Sequence, residues 1–123
     1  MSQERPRKPP AVEQQQEPPT KYGDIFPVSG ELSSKPVAPG DAAMMQSAET
    51  SVLGKTLKGG TAAVMQSAAT RNERAGVVGH RDVTKVVENE GVTLVETDLP
   101  GTRVITESVA NQVIGQHVQP HPQ

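Results

Sequence analysis

Two ten-residue blocks, twenty positions apart, nearly repeat one another. Residues 41–50 read DAAMMQSAET and residues 61–70 read TAAVMQSAAT, with seven identities in ten. Whatever the first block forms, the second must form too, and a repeat of this kind outranks any single motif as a guide to architecture. Both blocks are rich in strong helix formers, Ala, Met and Gln. They predict two short helices, about 41–53 and 61–75. Asp41 is placed to cap the first and Thr61 the second, while Gly54 and Gly76 stand where left-handed caps end helices. Met45, Ala48 and Val52 fall at i, i+3 and i+7 and predict a narrow apolar stripe. Arg71 and Arg74 lie near the negative end of the second helix dipole. Two copies are too few for a solenoid. The expectation is a weak helical hairpin built on Ala and Met, in which each helix is near the length where isolation in water makes it marginal.

The supply of large side chains sets the limit on any core. Leu, Ile, Val and Phe together number 25 of 123 residues, Tyr22 and Phe26 are the only aromatics, and hydrophobic residues total 33%. That lies at the edge of the disorder-prone range, while a net charge of only −2 argues against a fully disordered, self-repelling chain. The absence of cysteine excludes a disulfide framework, a thiol nucleophile and a cysteine-based zinc site. The apolar runs are shorter than a membrane span needs, and the first ten residues lack a secretory h-region. The expectation is a soluble, non-secreted, partly ordered protein.

Residues 1–40 carry eight of the eleven prolines, with five acids balancing five bases. Proline removes backbone donors and restricts its predecessor, which predicts a flexible, extended tail. One apolar island interrupts it. Tyr22, Ile25, Phe26 and Val28 could dock on the body of the protein or on a partner, or could form only a local turn. Arg5, Arg7 and Lys8 form a small basic cluster of the kind read in nuclear import, set against an ordinary solvated terminus. A net acidic chain without basic, aromatic-interleaved faces gives no reason to expect specific nucleic-acid binding.

Beyond Gly79 the pattern becomes β-branched. Residues 83–88, 92–99 and 103–109 predict a weak antiparallel meander, with turns at Asn89-Glu90-Gly91 and Pro100-Gly101-Thr102. Val92 and Leu94 fall on one face, Val95 and Leu99 on the other. Residues 108–118 suit a short helix capped by Ser108, or a further strand, and helix is the expectation. Residues 119–123 should fray. The fold class expected is a mostly disordered N-terminal third followed by a small α+β region over 41–118.

Candidate chemistry is sparse. Gly54-Lys55-Thr56 resembles the end of a phosphate-binding loop, but the first glycine of that loop is replaced by Glu49, whose carboxylate would repel the ligand. His117 and His121 have the spacing of two ligands on a helix face, yet Pro120 lies between them and no nearby carboxylate completes a site. His80-Arg81-Asp82 reads as a solvated turn. Catalysis needs convergent groups in a water-excluding pocket, so neither an enzyme nor a cofactor is expected.

The stretches Lys21-Tyr22-Gly23-Asp24-Ile25-Phe26 and Val28-Ser29-Gly30-Glu31-Leu32, the repeated Ala-Ala-x-Met-Gln-Ser-Ala, and Ile105-Thr106-Glu107-Ser108-Val109-Ala110 resemble the seed maturation protein family of plant late embryogenesis abundant proteins. The resemblance implies a seed protein associated with desiccation tolerance, located in cytosol and nucleus, with no catalytic residues to carry over. Two functions are then in view. One is a structural protectant of client proteins or membranes that gains helix on drying, as water stops competing for backbone hydrogen bonds. The other is a binding module in which Tyr22, Ile25, Phe26, Met45 and Met65 dock a regulatory protein partner, methionine faces being adaptable. Neither reading fixes an oligomeric state.

Overall fold

A computed structural model describes residues 19–54 and 59–120. The basic cluster Arg5, Arg7 and Lys8, the Lys55-Thr56 pair and His121 lie outside the described residues. Two helical turns come first, α1 (Tyr22–Ile25) and α2 (Gly30–Ser33). The two repeat helices follow, α3 (Pro39–Leu53) and α4 (Thr61–Arg74), then a short α5 (Lys85–Glu90). The chain ends in β1 (Val92–Leu99), β2 (Thr102–Val109) and β3 (Gln112–Pro120), an antiparallel sheet in the order β1-β2-β3.

The repeat forms the expected helical pair. Gly54 adopts φ +79° and Gly76 φ +77°, so both helices meet the left-handed residue that L side chains resist. The Glu49 carboxylate near the end of α3 accepts the Ala62 N–H at the start of α4, at 3.2 Å. That contact makes the helices antiparallel neighbours. Equivalent positions share equivalent fates: Met45 and Met65 are fully buried, Ala42 and Ala62 nearly so, and Gln46, Ser47, Gln66 and Ser67 face outward.

The details of capping and stripe differ from expectation. The α3 helix opens one turn earlier, with Pro39 at its first position and Ala38 as N-cap, where a missing N–H costs nothing. Asp41 is therefore an N3 residue, and its carboxylate reaches back to the Ala38 N–H. Gly60 is the N-cap of α4, with Thr61 the first helical residue. The buried stripe of α3 is Asp41, Ala42, Met45 and Glu49, while Val52 is exposed. The two acids of this stripe accept backbone N–H groups, Asp41 from Ala38 and Thr84 and Glu49 from Ala62.

Residues 19–38 are bound to the body. Their prolines do exclude a long helix or a central strand, but not two single turns joined by a Lys21–Pro36 bridge. Tyr22 and Val37 are fully buried and Leu32 nearly so. The Tyr22 and Phe26 rings lie 6.2 Å apart, tilted by 34°, and Ile25, Phe26 and Val28 pack on the core from its rim.

The meander exists one element later than expected. Residues 83–88 do not form its first strand, since Lys85–Glu90 is helical with Val87 fully buried. Gly91, at φ +79°, turns the chain into β1. The segment 108–118, expected as a helix, instead completes β2 and forms most of strand β3. A two-residue turn at Ala110-Asn111, with φ +50° and +68°, reverses the chain after β2; positive φ at both central residues is the hairpin-favouring geometry. Val92 and Leu94 pack inward, whereas Val95 and Leu99 are exposed. A register shift at Glu107/Ser108 leaves Ile114 without a pairing partner and lets it bury, the usual effect of a bulge. Gly115 follows, where an added Cβ would stand 2.6 Å from Thr61 Oγ1, so the absent side chain admits the start of α4 against β3.

Candidate functional site

The chemically dense part of the molecule is a buried polar network centred on Asp41, itself fully buried. The Tyr22 hydroxyl donates to Asp41 Oδ2 at 2.8 Å, and the Ala38 N–H to the same oxygen at 3.2 Å. Thr84 donates twice, from its N–H to Oδ1 at 2.8 Å and from its hydroxyl to Oδ2 at 2.6 Å. One carboxylate thus ties α1, the start of α3 and the lead into α5. Burial, then the Asp41 charge and hydrogen bond, push the Tyr22 phenol far above its ordinary pKa. It remains a neutral donor.

Asn72 forms the second knot. Its Oδ1 accepts the Thr20 N–H at 2.8 Å. Its Nδ2 donates to the Thr20 carbonyl at 2.8 Å and to the Val37 carbonyl at 2.9 Å. The side-chain amide of α4 acts as a strand-like partner for both arms of the N-terminal loop. Three of its four hydrogen-bonding positions are filled.

A third contact joins the hairpin to the sheet. His117 Nε2 lies 2.7 Å from Glu107 Oε1 and 3.3 Å from Thr61 Oγ1. Glu107 is fully buried, and its Oε2 has no hydrogen-bond partner among the described residues. The constellation superficially resembles a nucleophile relay. In such a relay the imidazole uses opposite nitrogens for acid and hydroxyl, whereas here both contacts fall on Nε2. The arrangement is a structural tie. Among the described residues no group of three metal-ligating side chains converges, and no helix is long and apolar enough to cross a membrane.

Of the residues singled out from sequence, Tyr22, Met45 and Met65 are fully buried, with Ile25 and Phe26 half-buried beside them. The structure gathers them into one core on the body of the chain. Glu49 is buried at the start of α4, so a carboxylate already occupies the end of the helix that a phosphate loop would leave open. His80 is exposed and lies 3.0 Å from Glu73 Oε2, and Asp82 accepts the Gly79 N–H at 2.7 Å, as in a solvated turn. Sequence reasoning missed the roles of Asn72, Thr84 and Glu107. Glu107 and His117 are diagonal neighbours on paired strands, a relation visible only once the β2–β3 register is known.

Two outcomes follow from the Asp41 network. Asp41→Ala leaves the buried Tyr22 hydroxyl and the Ala38 and Thr84 N–H groups without their acceptor, while the Thr84 hydroxyl keeps the Pro36 carbonyl at 3.2 Å, and should cost about 3–5 kcal/mol, read as a loss of unfolding free energy in urea. The second concerns alkaline pH. The folded state holds the Tyr22 proton more tightly than the unfolded state, so this stabilisation is complete below an unfolded phenol pKa of about 10 and is lost as pH rises above it. Tyr22 is the only tyrosine and there is no tryptophan, so tyrosinate absorbance reports one group. It should appear only together with loss of circular dichroism, and an independent titration near pH 10 would contradict the burial.

The seed maturation protein family model matches residues 20–75, the span from the Asn72-clamped Thr20 through α4. Late embryogenesis abundant protein D-34 of Gossypium hirsutum is 64% identical over 99% of this chain and 47% of its own length. Late embryogenesis abundant proteins 31 and 32 of Arabidopsis thaliana are each 58% identical, over 99% and 98% of this chain and 44% of their own lengths. The chain therefore spans a little under half the length of these relatives. No solved structure matches. With the repeat, the apolar island and the family match all falling on one clamped body, the chain belongs to the seed maturation protein family of late embryogenesis abundant proteins.

Proposed function

We propose that the chain is a non-catalytic protectant of proteins or membranes during seed desiccation. The observation that supports this reading is that the main buried polar clamps are closed within the chain. Asp41 and Asn72 take their partners from protein donors and acceptors. The hydrophobic effect exists only while water is present, so drying removes the main force that holds an ordinary core. Internal hydrogen bonds behave oppositely, since water ceases to compete for their partners and the local dielectric falls. A small Ala/Met core fastened by such clamps suits a fold that must survive the loss of solvent.

The described body is already helical over α3 and α4, so drying has less helix to create than the sequence suggested. Its proposed effect is to keep and tighten what exists. Full burial of Tyr22, Met45 and Met65 weighs against the second reading, a binding module using those side chains, because a partner would first have to open the core. Nuclear import through Arg5, Arg7 and Lys8, and a cytosolic and nuclear location, are part of the same proposal.

A desiccation-sensitive enzyme dried with this protein should recover more activity than with an equal mass of an inert globular protein. Circular dichroism of the dried film should keep the hydrated helical signal. Recovery no better than the inert control, or collapse of the helical signal on drying, would contradict the proposal.

A further inference from the structure

The sheet distributes its charges in an unusual way. Every charged or ionisable side chain of the three strands lies on the face turned toward the helices: Glu96, Asp98, Arg103, Glu107 and His117. Four of them pair there, Arg103 Nη1 with Glu96 at 3.0 Å and His117 with Glu107 at 2.7 Å. The opposite face has no charge at all. It is built from uncharged residues, in which Thr93, Thr97, Thr102, Thr106, Ser108 and Gln116 are interspersed with Val95, Leu99, Val104, Val113 and Val118. Val95 is 50%, Leu99 47%, Val113 49% and Val118 69% exposed. A solvated sheet face ordinarily alternates polar outward and apolar inward. Here the inner face holds the charges, the fully buried Glu107 among them, and the outer face is the one left to be covered.

We propose that this outer face is a homotypic interface, covered by the same face of a second copy of the chain. The charge pattern selects the occupant. An acidic or basic partner gains nothing from a face without charge, whereas two copies bring neutral surface to neutral surface with no like charges opposed across the contact. A two-fold axis through the face gives the closed, self-complementary contact most homodimers use, with Thr and Val side chains interdigitating as between packed sheets. Area sets the strength. Three strands about 4.8 Å apart, each about eight residues long at ~3.3 Å per residue, present a footprint of roughly 400 Å2. Two such faces bury roughly 800 Å2, short of the ~1,200–2,000 Å2 of stable complexes. The dimer is therefore weak in dilute solution and forms as the protein is concentrated.

Sedimentation equilibrium of the full chain, from about 10 µM to about 1 mM, spans the range in which a contact of this size associates. The weight-average mass should rise from 13.0 kDa toward twice that value. Val95→Lys/Val118→Lys should remain monomeric throughout with an unchanged far-ultraviolet spectrum, while Val77→Lys, at an exposed position outside the sheet, should associate like the wild type. Because the chain has no cysteine, Val118→Cys supplies a second readout that leaves the face nearly intact. It should oxidise to a disulfide dimer several-fold faster than Val77→Cys. A wild type that stays monomeric at about 1 mM, a lysine double variant that still associates, or equal oxidation of the two cysteine variants would overturn the proposal.

Discussion

A single carboxylate holds the described body together. Asp41 accepts from α1 through Tyr22, from the entry of α3 through Ala38, and from the entry of α5 through Thr84. These segments lie 19 and 43 residues from Asp41 at their furthest donors. A buried carboxylate is costly unless its lone pairs are used. Here they are used by four donors, of which the Tyr22 hydroxyl and the Ala38 and Thr84 N–H groups would lose their acceptor without it. The arrangement couples the segments, because releasing any of them takes a donor away from the same buried carboxylate.

The tandem repeat supplies the frame for this. Its interior positions, Met45 and Met65 with Ala42 and Ala62, pack the hairpin. Its first position differs between copies and does something else in each. Asp41 fastens the N-terminal loop and α5, while Thr61 stands against His117 of β3. Sequence identity marks the common packing, and the one divergent leading residue in each copy gives it a separate neighbour. The outward Gln-Ser pair recurs in both copies without a packing reason.

Much of this was legible from residue patterns. Helix periodicity and glycine caps located α3 and α4, and β-branched runs located β1 and β2. The failures have physical causes. Prolines forbid long elements but do not prevent short turns from being pinned by remote groups, so the binding of residues 19–38 depended on Asn72 and Asp41, far away in sequence. Residues 83–88 look β-prone, but Thr84, tied to Asp41, stands as N-cap of the helix Lys85–Glu90 there. The hairpin after β2 turns on Ala110-Asn111, where alanine carries none of the usual signal for positive φ. Charge burial was the least legible feature, since Asp41, Glu49 and Glu107 look like surface acids until their partners are placed.

The family relation fits this architecture, since the matched residues 20–75 contain Tyr22, Asp41 and Asn72 together. The matched unit is thus the clamped hairpin, and the sheet is attached to it through Thr61, Thr84 and the α3–β1 packing. Amide hydrogen exchange at Ala38 and Thr84 tests the central claim most directly. If Asp41 closes the body, both amides exchange only by global unfolding, at the rate of the slowest core amides. Exchange at either amide as fast as in exposed turns, with the core still protected, would mean the carboxylate does not hold these segments.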